Sequence, residues 1–219
     1  YHYDIRNFNF FLEHTKALLE QDSIISKVDN LKVYQNLYLE NKANYYYKTN
    51  ELSKAKSIYL GLRSQYNGLP IETLATNEAQ RLFSVNNFLA TIYKHLGRFE
   101  LSEQFYLKNR RLVKANDSLA VFSKVYLNNV DHLTAQLYGQ MGKYEEANDL
   151  QVKVLDYYKI KYAEDEKYKN NLVSAYQNIT TTLIEQDCLE KALSYLDESQ
   201  EYLLKDDPFY KEALVLYGI

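Results

Sequence analysis

The chain has 219 residues, a formal net charge of −3, and only six Gly, two Pro and one Cys. So few turn formers exclude an all-β fold with many tight turns, and the charge balance offers nucleic acid no basic stripe. The single Cys188 excludes a disulfide framework, and no apolar run approaches the roughly 18 residues that a membrane-spanning helix needs.

Leu, Ala, Lys, Glu and Gln run through every long segment, and apolar residues recur at helical spacing almost throughout. A first segment, about 4–20, places Ile5, Phe8, Leu12, Leu18 and Leu19 near one face. It reads as the second helix of a pair whose first is missing. After the polar break Gln21-Asp22-Ser23, helix pairs are expected at about 30–66, 75–115, 118–162 and 166–205. Their internal turns fall near residues 50, 97, 142 and 187. The break Asn67-Gly68-Leu69-Pro70 separates the first pair from the second. A last partial repeat, 207–219, opens at Asp207-Pro208, an N-cap residue followed by Pro at the first helical position.

The sole Met is Met141, and the sequence ends on the apolar run Leu214-Val215-Leu216-Tyr217-Gly218-Ile219. Helical arrays need polar caps for solubility. We therefore expect residues 1–219 to be a single array taken from a longer protein. No signal-peptide pattern is seen at the start, and of the compartments left open the cytoplasm is favoured over the periplasm.

A recurring phrase organises these pairs. Ser102, Ala147 and Ala192 stand 45 residues apart, and Ala55 lies 47 before Ser102. Each is the small residue five positions after Asn50, Gly97, Gly142 or Asp187. Repetition at such a period indicates stacked units. Gly, and next best Asn or Asp, end a helix in the left-handed conformation. Leu52, Phe99, Tyr144 and Leu189 would then plug the corner, and the small residue lets the second helix lie close to the first.

These residues resemble the tetratricopeptide repeat. Its small first-helix residue matches Ala43, Ala90 and Ala135, with Thr180 a departure. Leu89 and Ile179 match the large apolar residue before it, whereas Lys42 and Thr134 do not. Tyr46, Tyr93, Tyr138 and Leu183 precede the turn, and Tyr59, Tyr106, Gln151 and Leu196 follow it at the family's second aromatic site. The period exceeds the usual length of about 34 residues by roughly three helical turns, which preserves the inward face. Tyr176-Gln177-Asn178-Ile179-Thr180 is similar to a phrase of the long-repeat branch that includes the kinesin light chains. The resemblance implies an all-α, right-handed superhelical solenoid of antiparallel helix pairs.

It also implies a protein- or peptide-binding scaffold whose first helices line a concave groove. The inward positions include Asn44 and Tyr47, then Asn87, Phe88, Thr91, Lys94 and His95 in the second pair. Asn129, His132, Leu133 and Gln136 follow in the third, and Gln177 and Thr181 in the fourth. From these we select Asn44, Tyr47, Asn87, Thr91, His95, Asn129, His132, Gln136, Gln177 and Thr181 as candidate peptide contacts. Amides both donate and accept, which suits a peptide backbone. The family's carboxylate clamp needs Lys and Arg where this chain has Asn129 and Leu133. Tyr45-Tyr46-Tyr47 cannot all face one core, so Tyr47 is the candidate exposed aromatic. Most other Tyr, among them Tyr38, Tyr93, Tyr106, Tyr138, Tyr195 and Tyr202, are expected to fill seams between helices.

No catalytic constellation is evident. The four His share no metal-ligand spacing, although His95 and His132 fall at inward positions of neighbouring repeats. No phosphate-binding Gly loop or Gly-x-Ser-x-Gly occurs. The expectation is no enzyme, no cofactor, no metal, no nucleic acid and no membrane insertion. The partner would be a protein or peptide, with the chain serving as the sensing or docking part of a larger bacterial regulator. The alternative is a self-assembly module, a homo-oligomer formed through exposed terminal helices such as those bearing Phe8 and Leu214.

Overall fold

The computed structural model describes residues 32–202. Eight α-helices lie among the described residues: α1 (Lys32–Lys48), α2 (Leu52–Ser64), α3 (Thr76–His95) and α4 (Phe99–Ala115), then α5 (Ser123–Gln140), α6 (Tyr144–Glu164), α7 (Lys169–Glu185) and α8 (Leu189–Ser199). Short 3-10 segments at Ile71–Thr73, Asp117–Phe122 and Glu166–Tyr168 join one pair to the next. The expected helices at 4–20 and 207–219, with Phe8 and Leu214, lie outside the described residues.

The described backbone divides into two compact units that part between Leu119 and Ala120. In the first, α1 packs on α2 and α3 on α4, and α2 also meets α3. In the second, α5 packs on α6 and α7 on α8, with α6 against α7. Each unit is thus a run of consecutive antiparallel helix pairs.

The four internal turns share one backbone solution. Asn50 (φ 63°), Gly97 (φ 68°), Gly142 (φ 72°) and Asp187 (φ 60°) are all left-handed. The next residue donates its N–H to the carbonyl five back: Glu51 to Tyr46 at 2.7 Å, Arg98 to Tyr93 at 2.8 Å, Lys143 to Tyr138 and Cys188 to Leu183 both at 2.9 Å. The left-handed residue itself donates three back, as from Gly97 to Lys94 and from Gly142 to Gly139, each at 3.0 Å. This pair of bonds is the Schellman motif, which satisfies carbonyls that the helix end leaves open.

Close approach within pairs rests on small side chains. Ala43, Ala90, Ala135 and Thr180 on the first helices, and Ala55, Ser102, Ala147 and Ala192 on the second, are at most 1% exposed. The corner residues differ from expectation. Leu52, Phe99 and Tyr144 are only half-buried, and Leu189 is exposed. Each stands at the first position of its helix, on the rim of the corner, so solvent reaches it.

Burial follows the helical period. On α4 the buried residues are Ser102, Phe105, Tyr106, Asn109, Leu112 and Val113, one stripe at three- and four-residue steps. α3 buries a wider arc because it packs on both α2 and α4. Thr134, which replaces a large apolar residue, satisfies its hydroxyl on the Val130 carbonyl at 2.7 Å.

Candidate functional site

In the first unit, α1 and α3 meet around Phe88. Tyr59, rising from α2, stacks on the Phe88 ring with centroids 4.9 Å apart and planes at 8°. Tyr47 of α1 presents its ring to the same phenyl edge-on, at 5.9 Å and 70°. The Tyr47 hydroxyl and His95 Nε2 lie 3.2 Å apart, which ties the last turn of α1 to the last turn of α3. Glu40 and Arg81 form an ion pair at 2.6 Å and join the same two helices at a second point. Burial pushes the Tyr47 phenol pKa up and the Lys94 ammonium pKa down. The face is therefore an aromatic shelf with partly dried polar groups at its edge.

Tyr47 is half-buried rather than freely exposed. The reason is that α3 packs beside α1 and supplies both Phe88 and His95 on that side. His95 is the exposed member of the group.

Two of the candidate amides are engaged within the fold. Asn44 accepts the Tyr59 hydroxyl at 2.7 Å through Oδ1. Asn87 accepts from Asn109 Nδ2 at 2.8 Å. Thr91 donates to the Asn87 carbonyl at 2.9 Å and also faces Tyr106. Burial raises the Tyr106 phenol pKa, and its hydroxyl has no hydrogen-bond partner among the described residues. The second-helix tyrosine therefore bonds to the first-helix residue six before the turn in the first pair, through Tyr59 and Asn44, and not in the second.

In the second unit, Gln136 Nε2 and His132 Nε2 are 3.1 Å apart across one turn of α5, with Asn129 exposed nearby in sequence. On α7, Gln177 is half-buried and Thr181 exposed. The amides that pack lie elsewhere. Asn148 and Gln186 exchange hydrogen bonds at 3.1 and 3.4 Å, and Gln151 Nε2 donates to Thr182 Oγ1 at 2.7 Å across the α6–α7 seam.

Sequence reasoning passed over the buried amide cluster of α3 and α4. Asn109 donates to the Phe83 carbonyl at 2.9 Å and to Asn87, and it accepts from Asn86 at 2.9 Å. Arg63 Nε then donates to Asn86 Oδ1 at 3.2 Å. The signal was present: Asn109 interrupts the apolar stripe of α4, where an amide survives only if fully paired. The Glu40–Arg81 pair had no comparable signal, because its partners sit in different repeats.

Among the described residues, no group of three or more His, Cys, Asp or Glu is placed to hold a metal ion. No described helix is long and apolar enough to cross a membrane.

No protein-family model matches the chain, and no curated protein matches it. Solved structures do. The crystal structure of BtubC (BKLC) from P. vanneervenii aligns with a TM-score of 0.68 over 91% of this chain and 76% of that chain, at 17% identity. At that identity the likeness concerns the fold. Over the described residues the fold is all-α, built of consecutive antiparallel helix pairs in the manner of a tetratricopeptide-like helical repeat.

Proposed function

We propose that this chain is a protein-interaction module that binds an extended or helical peptide on the first helices of its pairs and performs no catalysis. The observation that carries the reading is the meeting of α1 and α3 at Tyr47, Phe88 and His95. An aromatic shelf there accepts an apolar side chain, while the imidazole and hydroxyl at its rim address peptide donors and acceptors. In the second unit, Asn129 and Thr181 offer exposed amide and hydroxyl groups of the same kind. Within this reading the chain serves as the docking part of a larger regulator.

The test is a peptide selection on the whole chain, followed by affinity measurement on three single variants. His95→Ala probes the first unit; Asn129→Ala and Thr181→Ala probe the second. These side chains are exposed or rim-placed, so the fold survives. Loss of one neutral hydrogen bond weakens binding roughly 2- to 10-fold. Selected peptides that bind all three variants as tightly as the wild type would remove the proposed faces from consideration.

A further inference from the structure

A second concavity, distinct from the Phe88 shelf, opens between the C-terminal end of α2, the 67–74 connection, α3 and α4. Its volume is about 300 Å³, at the lower end of the range that small-molecule sites occupy. Leu69, Pro70, Leu82 and Leu112 supply apolar wall. Arg63, Lys108 and Arg111 also line it, with Glu72 as the only acidic lining residue among the described residues. In a chain of net charge −3, three cations around one small cavity need an account.

None of the three forms an ion pair among the described residues. Arg63 and Lys108 stand over the same Phe105 ring, at 5.6 and 4.6 Å from its centroid. Arg63 is further fixed by its bonds to Asn86 at 3.2 Å and Asn67 at 3.4 Å. Desolvation, and then the Arg63 charge, push the Lys108 ammonium pKa down, the direction expected where a counter-anion is lacking. The rim is held in place as well. Asn116 donates to the Ile71 and Leu74 carbonyls at 2.7 and 3.0 Å, which pins the connection to the end of α4.

We propose that this cavity binds a phosphomonoester carried on a small apolar or aromatic body, either free or borne by a peptide side chain. Glu72 offsets one of the three cations, and the two positive charges left match the charge of about −1.5 to −2 on a phosphomonoester. Guanidinium groups suit its oxygens by bidentate donation. The apolar wall accounts for the body and distinguishes this ligand from inorganic phosphate.

Calorimetric titration of the whole chain with phenyl phosphate, phenol and inorganic phosphate tests this. Saturable binding of phenyl phosphate, tighter than either of the others and weakened by salt, is expected. The Lys108→Gln/Arg111→Gln double variant should lose roughly 10-fold or more in affinity, because charge-assisted hydrogen bonds are removed. Both side chains are exposed, so an unchanged melting curve is the control. A phosphotyrosine peptide that binds more tightly than phenyl phosphate identifies a peptide-borne ligand; equal affinity identifies a free small molecule. The proposal is overturned by absence of saturation, by inorganic phosphate binding as tightly as phenyl phosphate, or by unchanged affinity in the double variant.

Discussion

Tyr59 donates its hydroxyl to Asn44 Oδ1 at 2.7 Å while its ring stacks on Phe88 at 4.9 Å. One side chain of α2 thereby couples α1 and α3, and the packing of the first unit depends on it. Tyr59→Phe keeps the stack and removes the bond, at a cost of about 1 kcal/mol. Tyr59→Ala also removes the ring, at a cost of about 3–5 kcal/mol. Urea unfolding followed by far-UV circular dichroism checks both, and equal costs for the two variants would contradict the division of labour.

Asn109 is fully buried and bonds to Phe83, Asn86 and Asn87 together. Asn109→Ala leaves several buried polar groups without a partner, each worth about 1–3 kcal/mol. A net loss of about 2–3 kcal/mol in unfolding free energy is expected, and a loss below about 0.5 kcal/mol, typical of surface sites, would refute the cluster's role.

The left-handed turns make opposite predictions for neighbouring repeats. Gly142 has φ 72° and open space where a Cβ would stand, so Gly142→Ala costs only conformational strain, about 1–2 kcal/mol. Asp187 already bears a side chain at φ 60°. Asp187→Gly should therefore stabilise the second unit by up to about 1 kcal/mol, since Gly enters this region freely. Melting temperatures that move in the same direction for both variants would contradict the assignment.

Alkaline pH should weaken the second unit through Tyr176. Burial raises its phenol from 10.0 to about 12, against an opposing pull from Lys159. Between these values the unfolded chain has released a proton that the folded chain still holds, so stability falls as pH rises. The contribution is complete below pH 10 and is lost progressively toward about 12. Tyr176→Phe keeps the ring against Tyr202, 5.9 Å away, and should flatten this part of the melting-temperature profile. An unchanged profile in that variant would exclude Tyr176 as its source.

The helix pairs and their turns were legible in the amino-acid order because each turn is closed within about six residues. Asn50, Gly97, Gly142 and Asp187, and the small residues five positions later, act on neighbours along the chain, so their spacing reports geometry directly. The buried Ala43, Ala90 and Ala135 follow from the same period. The corner residues were less legible, because Leu189 and its counterparts sit at a rim whose exposure depends on what packs above it.

The face chosen for ligand contact was legible only as a set of positions. Asn44 and Asn87 were read as groove-lining amides, and each also accepts a hydrogen bond from the second helix of its own pair. Tyr47 was read as an exposed aromatic, yet it is half-buried against Phe88 and His95 from the next pair. Such partners lie 15 to 48 residues apart, and which of them meet depends on how each helix rotates against its neighbour. The cationic cavity arose in the same way, from Arg63 on α2 and Lys108 and Arg111 on α4. Local order carries capping and periodicity because the backbone enforces them within a turn; side-chain pairing across helices exists only once packing has set their rotation.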